Sequence, residues 1–251
     1  PRLRRLIAEQ SGITDPDCVI VTGGAASALF LVASSLLEPG DHMIVARPNY
    51  GTNIATPEAI GADISYLDQK FEEGFRVDIE KLESLIRPDT KYISLTNPHN
   101  PTGTMMGLRE LKRVIAIAEK HGVRLLVDET YRDMFKDERL PVAASLSKKV
   151  ISISSLSKTY GIPGIRIGWA VCQDKEMIEL LTCAKEQVCI GGSVVDEYIG
   201  YVALSQKKEW IAENDALIAG RFAIVKEWVA NEEFIEWVEP RAACTCFPRI
   251  K

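Results

Sequence analysis

The sequence is poor in features that would place it among nucleic-acid-binding, secreted or membrane proteins. Blocks of a single charge are missing: 30 Lys and Arg interleave with 35 Asp and Glu, for a net charge of −5. With no basic face, small molecules or other proteins are the expected partners rather than nucleic acid or anionic lipid. Only three histidines occur, and the six cysteines are scattered without a C-x-x-C pair. Neither a zinc site nor a disulfide framework is therefore indicated, and a reducing, cytoplasmic setting is expected. The longest apolar runs, such as that over 25–37, contain serines and fall short of a bilayer span. No repeat or low-complexity tract is present. The stretch "GIPGIRIG" (161–168) departs from G-x-G-x-x-G, which disfavours a nicotinamide enzyme.

What is present is a chain of 251 residues, 46% hydrophobic, long enough to bury a full core. Short apolar runs recur at "HMIVA" (42–46), "ADISYL" (62–67), "KYISLT" (91–96), "VRLLVD" (123–128), "KKVISI" (148–153) and "IRIGWAV" (165–171). Helical patterns follow them, and strands alternating with helices predict a mainly parallel sheet covered on both faces. "LRELKRVIAIAEKHG" (108–122) carries helical periodicity and a glycine stop. A long amphipathic helix is expected over about 206–230, followed by the strand-like "EFIEWVEPRAACTCFPRIK". A domain junction is expected in that helix, dividing 1–205 from 206–251. The opening "PRLRRLIAEQSG" lacks a helix cap and the final "FPRIK" reads as a strand without a sheet, so the chain is expected to be cut at both ends.

Parallel α/β sheets bind ligands beyond the carboxyl ends of their strands. There, "VIVTGGAASALF" (19–30) reads as a strand, a Gly-Gly turn and a helix start, suited to a phosphate. "TNPHNPTG" (96–103) holds Asn97 and Asn100 in an expected stiff, extended turn. "VDETY" (127–131) ends an apolar strand on Asp128, a carboxylate that is costly to bury unless it meets a cation or caps the next helix. "SSLSKTYGIPGIRIGW" (154–169) sets Lys158 among hydroxyls and Arg166 among glycines. Those glycines are expected to turn the chain after a lysine-bearing helix and return Arg166 toward Ser155.

In this order the motifs resemble the pyridoxal-phosphate-dependent fold-type I enzymes of the class I/II aminotransferase family, through essentially the whole chain. The wording around Lys158 and the final "FPRIK" is similar to the capreomycidine-synthase-like branch. The resemblance implies a three-layer α/β/α sandwich with a mainly parallel sheet as the large domain, and the beginning of a small α+β C-terminal domain. Pyridoxal 5'-phosphate is the implied cofactor, and an L-amino acid and a 2-oxo acid the implied substrates of a homodimer. Lys158 matches the lysine of the internal aldimine, and Asp128 the partner of the pyridine nitrogen. Asn100 and Tyr131 match the groups that hold the phenolic oxygen. Gly24, Ala25 and Ala26 fall where backbone N–H groups meet the phosphate, with Ser155 and Arg166 as its side-chain ligands. Tyr50 matches the ring that stacks on the pyridine. The loop "EQVCIGGSV" (186–194) falls where a partner subunit would complete the site, although its cysteine and glycines depart from the usual polar pattern. The family's substrate-carboxylate arginine lies beyond this chain, and neither Arg241 nor Arg249 matches it.

The same scaffold also runs β-elimination, cyclisation and oxygen-dependent oxidation, which stay open as alternatives. A sensor domain of a transcription regulator is an alternative of another class, disfavoured by the intact "NPHNPTG" and the lack of a helix-turn-helix with a basic face. Ser155–Lys158 also spells the S-x-x-K of β-lactamases, but S-D-N-like and K-T-G elements are missing. His42 and His121 are expected to be structural or solvated, His99 is given no role, and Trp210, Trp228 and Trp237 are expected to pack.

Overall fold

The computed structural model describes residues 1–134 and 139–251. In chain order the regular elements are α1 (Arg2–Gln10), β1 (Val19–Thr22), α2 (Ala25–Leu36), β2 (His42–Arg47), α3 (Thr52–Ile60), β3 (Asp63–Asp68), α4 (Ile79–Ser84), β4 (Thr90–Thr96) and α5 (Leu108–Lys120). They continue as β5 (Arg124–Asp128), β6 (Val150–Ser155), β7 (Gly168–Val171), α6 (Lys175–Val188), α7 (Val194–Ser205), α8 (Lys207–Asn231), β8 (Ile235–Glu236) and β9 (Arg249–Ile250).

Among the described residues, seven strands form one sheet in the order β1-β7-β6-β5-β4-β2-β3. The pairs from β3 through β6 are parallel, whereas β7 runs antiparallel to both β6 and β1. The strands read as unbroken apolar runs because both faces are covered. Leu125 and Val127 of β5 enter one core with α1 and α5, and Leu126 between them enters the other with α2 and α6. This period-2 partition produces the three-layer α/β/α sandwich, the fold-type I architecture. Each fully buried Leu, Ile or Val stabilises it by roughly 1.5–3 kcal/mol.

Local rules account for the helix ends. Glu110 accepts the Gly107 N–H at 2.8 Å to open α5, and Gly122 closes it at φ +69. Asp174 caps α6 through Glu176 N–H, and Ser193 caps α7 through Asp196 N–H. No described helix is long and apolar enough to cross a membrane.

Three local expectations change. The strand foreseen over 165–171 begins only at Gly168, because Pro163–Ile165 is a 3-10 turn and Arg166 itself is left-handed at φ 51. Lys158 lies in an irregular turn rather than on a helix. The C-terminal segment pairs only at its ends, β8 with β9, and 237–248 between them is irregular. Helix α8 is tied back to the sheet region by the Lys207–Asp133 ion pair at 2.7 Å and by Asn214 Nδ2 donating to Thr159 O at 2.8 Å.

Candidate active site

The sheet topology decides which chain segments meet. β1, β6, β5, β4 and β2 all end at one edge, and antiparallel β7 begins there, so the residues before β7 join those that follow the others. Along that edge lie the Gly23–Ala26 turn, Arg166, the Ser155–Lys158 turn, Asp128 to Tyr131, the Asn97–Gly103 loop and Tyr50.

At the β1 end the edge forms an anion cradle. Gly24 is the N-cap of α2 at φ 100, with no side-chain cap on the first turn. The N–H groups of Ala25 and Ala26 therefore remain available, and the helix dipole favours negative charge there. Arg166 Nη2 donates to Gly23 O at 3.0 Å, while Nη1 reaches Pro163 O at 2.8 Å and Ser157 Oγ at 3.4 Å. A Cβ on Gly24 would collide with the Arg166 guanidinium, and one on Gly168 would come within 2.6 Å of Ala25 N. Ser155 is buried and paired in register with Gly168, which is paired in turn with Thr22. Close backbone approach is thus the reason for Gly168, whereas Gly164 meets only open space.

At the centre the polar groups fall into two sets. One set is satisfied within the protein. Asn97 holds its loop through Met106 N–H and O, and Asn49 accepts from Thr96 Oγ1 at 2.9 Å. His99 bridges Pro48 O and Thr102 Oγ1, and burial holds its pKa at about 4. His42 lies between Thr90 and Ser65, and His121 pairs with Glu83, so all three histidines are structural. The Asn97–Gly103 loop is a compact turn rather than an extended one, closed by Gly103 N–H to His99 O at 2.8 Å. Trp237 stacks on Phe222 and Trp210 packs on the core, whereas Trp228 is exposed.

The second set is not satisfied. Asp128 and Tyr131 are only 6% and 4% exposed. Both hydrogen bonds to Asp128, from Thr130 N–H and Oγ1, fall on Oδ1. Among the described residues, Asp128 Oδ2, Tyr131 Oη, the Asn100 amide and Lys158 Nζ have no hydrogen-bond partner. Asp128 and Tyr131 are buried residues, Asn100 is half-buried and Lys158 is exposed, and unpartnered polar groups gathered in this way suit a ligand. Burial raises the Asp128 pKa against the hydrogen bonds from Thr130, so a cation beside Oδ2 would relieve a real cost. Burial also raises the Tyr131 pKa, with smaller contributions from Cys244, Asp128 and Tyr50. Tyr50 is exposed at the rim. Lys158 is exposed, and its turn is anchored by Thr159 Oγ1 donating to Thr130 O at 3.2 Å.

The contact of Thr159 with Asn214 behind Lys158 was invisible to motif reading, whereas Ser157 beside Arg166 and Gly168 in the cradle lie in the hydroxyl and glycine runs that the sequence singles out. Glu129, to which the motifs gave no role, is fully buried beneath the site, accepting Ala143 N–H at 3.1 Å, and burial lifts its pKa from 4.5 to about 7. A raised carboxylate pKa contributes stability below about 4.5 that is lost as pH climbs through about 7. Glu129→Gln is expected to flatten that slope, which spans roughly 3 kcal/mol, in denaturant midpoints measured across the interval. An unchanged slope would place the titration elsewhere.

A parallel α/β sandwich with an anion cradle at one end of its sheet edge and a buried, unpaired carboxylate, a tyrosine and a lysine at the centre defines a fold-type I pyridoxal-phosphate domain. The chain belongs to the aminotransferase class I and II family, whose model matches residues 1–251. It is 36% identical over 177 residues to arginine–pyruvate transaminase of Pseudomonas aeruginosa, covering 67% of this chain and 45% of that one. Capreomycidine synthase of Streptomyces vinaceus is 29% identical over 260 residues, covering 99% of this chain and 64% of that one. A crystal structure of a pyridoxal-phosphate-dependent aminotransferase from Streptococcus suis superposes with a TM-score of 0.94 at 33% identity, covering 100% of this chain and 66% of that one. The chain thus spans under half of the arginine transaminase and about two thirds of the other two. The family's cofactor is pyridoxal 5'-phosphate. The residues present fit it, since a cradle with no room for a Cβ at Gly24 or Gly168 suits a phosphate and an unpaired carboxylate oxygen on the buried Asp128 suits a pyridinium nitrogen.

Proposed function

We propose that the protein is a pyridoxal-phosphate-dependent aminotransferase that takes the amino group of an L-amino acid and passes it to a 2-oxo acid. The observation that carries this reading is the set of unpartnered groups, Asp128 Oδ2, Tyr131 Oη, Asn100 and Lys158, running along one sheet edge to the Arg166 cradle. When bound, pyridoxal phosphate supplies an electron sink for the substrate's alpha carbon. Gly24, Ala25, Ala26, Ser155 and Arg166 would hold the phosphate, with the guanidinium giving a directional fork. Asp128 would hold a proton at the ring nitrogen. Asn100 and Tyr131 would hold the phenolic oxygen, and Tyr50 would lie at the rim against the ring. Lys158 would anchor the cofactor and would hold and move a proton at the substrate's alpha carbon.

The test uses the complete protein with L-arginine, L-tyrosine, L-aspartate and L-alanine, each with pyruvate or 2-oxoglutarate. Amination of the 2-oxo acid in step with consumption of one amino acid is the expected result. Ammonia release, oxygen uptake or ring closure without amination would move the assignment to a lyase, oxidase or cyclase. The capreomycidine synthase match over 99% of the chain is the reason to include the last of these.

The same reading divides the chain into a large cofactor domain, 1–205, and an interdomain helix with the start of a small domain, 206–251; α8 and the separate β8–β9 ladder support it. It also makes the protein a homodimer. Phe30, Val188, Ile190, Val194, Val195 and Tyr198 are exposed, and a groove beside them runs to Gly23 and Arg166. A second copy seated there would bury this apolar surface and close the cradle from solvent. Val194→Asp with Val195→Asp is expected to convert dimer to monomer in sedimentation velocity; a wild-type monomer would refute the assignment. The exposed thiols Cys183, Cys189, Cys244 and Cys246 favour a reducing compartment, in keeping with a cytoplasmic enzyme.

A further inference from the structure

Lys158 is exposed, but Thr159 and Tyr160 directly after it are buried, at 2% and 3% exposure. Each bonds to the segment that follows β5. Thr159 Oγ1 donates to Thr130 O at 3.2 Å, and Tyr160 Oη donates to Asp133 Oδ2 at 3.0 Å. Thr130 and Asp133 bracket Tyr131, so these two rungs join the turn that bears Lys158 to the loop that bears Asp128 and Tyr131.

Helix α8 grips both rungs. Lys207 Nζ lies 2.7 Å from Asp133 Oδ2, the oxygen that accepts from Tyr160, and Asn214 Nδ2 donates to Thr159 O at 2.8 Å. Lys207 and Asn214 are seven residues apart in α8, about two helical turns, and so share one face, with Ile211 buried in the core between them. On the other side of the carboxylate, Arg132 Nη2 approaches Asp133 Oδ1 at 3.2 Å. Burial alone would raise the Asp133 pKa, but Arg132, Lys207 and Tyr160 hold it below the ordinary carboxylate range, so the tyrosine donates to an anion. Such bonds are about twice as strong as neutral ones. Apolar residues of similar volume often serve stability as well as a buried ion pair does. What these directional bonds add is one fixed geometry between α8, the Tyr131 loop and the Lys158 turn.

We infer that Tyr160 and Asp133 are positioning residues: held from α8 by Lys207 and Asn214, they fix the turn that carries Lys158 relative to Asp128 and Tyr131, so that its amine meets the substrate's alpha carbon in one orientation. The inference rests on the proposed cofactor reading, and both residues act through Lys158.

The experiment compares the complete protein with Tyr160→Phe and with Asn214→Ala, each loaded with pyridoxal phosphate and stripped of it. The N–H groups of Gly161 and Ile162 close the turn on Lys158 O and Leu156 O. In the stripped variants, peptides covering these amides are expected to exchange hydrogen about tenfold faster than in the parent, while peptides of β5 and β6 keep the parent rate. Loaded, both variants are expected to keep the visible absorbance of the cofactor and to lose about tenfold in kcat with KM nearly unchanged. In a Lys158→Ala background supplied with methylamine, a free base that needs no tether, adding Tyr160→Phe is expected to leave the rescued turnover unchanged. Unchanged exchange at the turn, exchange that rises equally in β5 and β6, or a rescued turnover that falls as far as the tethered one would overturn the inference while the cofactor reading stood. Should Tyr160→Phe fail to fold, Asn214→Ala carries the same measurements. A complete protein without cofactor absorbance would overturn that reading and the inference with it.

Discussion

Lys158→Ala is expected to abolish the visible absorption of lysine-bound pyridoxal phosphate and to lower turnover by at least about 10⁴-fold. The prediction follows from the proposed role of Lys158, whose primary amine would anchor the cofactor and carry a proton at the substrate's alpha carbon. Lys158 lies in the turn just beyond β6, its Nζ has no hydrogen-bond partner among the described residues, and Thr159 and Asn214 fix that turn. Lys207, by contrast, is committed to an ion pair with Asp133 at 2.7 Å. Spectra and turnover of the complete protein decide the matter. A Lys158→Ala protein that kept its visible band would assign the anchoring role to another amine.

Asp128→Asn is expected to move activity and stability in opposite directions. Without a bound cation, burial raises the Asp128 pKa above its ordinary 3.8. The contribution of such a group to stability is present below that value and is lost as pH rises, so at neutral pH the carboxylate strains the cofactor-free protein. Asparagine keeps the Oδ1 contacts to Thr130 and carries no charge. Cofactor-free Asp128→Asn is therefore expected to be more stable than the parent at pH 7 by about 1–3 kcal/mol, with the gain shrinking as pH falls. Loaded with cofactor, the same variant should lose about 10²–10⁴-fold in turnover, because no anion then holds a proton on the ring nitrogen. Denaturant midpoints against pH test the first half and turnover the second. A less stable cofactor-free variant at neutral pH would mean that a cation of the protein already compensates Asp128.

Reading the chain in order goes far here, for identifiable reasons. The apolar runs that became β2, β4, β5 and β6 are continuous because both their faces are buried, so composition alone exposed them. Asp128, Lys158 and Asn100 were legible as candidates because Asp128 ends such a run and the other two lie in the loops just beyond β6 and β4, at the strand ends where parallel sheets take ligands. The contact between Thr159 and Asn214 was not. It joins segments distant in sequence, Asn214 Nδ2 donating to Thr159 O. A threonine and an asparagine in isolation have no pattern that distinguishes such a contact from ordinary loop chemistry.

The strand β7 shows where that boundary falls. Its apolar character is local, but its direction is not, and only the antiparallel pairing with β1 and β6 brings Arg166 to the same edge as Ser155 and Gly24. Likewise the two asparagines of "NPHNPTG" are chemically identical in the sequence. The fold satisfies Asn97 with Met106 and leaves Asn100 without a partner. By itself, then, the sequence determined the layered α/β class, the order of its elements and the chemical types set at the strand ends, because these follow from hydrophobic period and local turn chemistry. The tertiary structure decided which of those groups are spent on holding loops and which remain unpaired at the sheet edge, because hydrogen-bond satisfaction is settled only between segments that folding brings together.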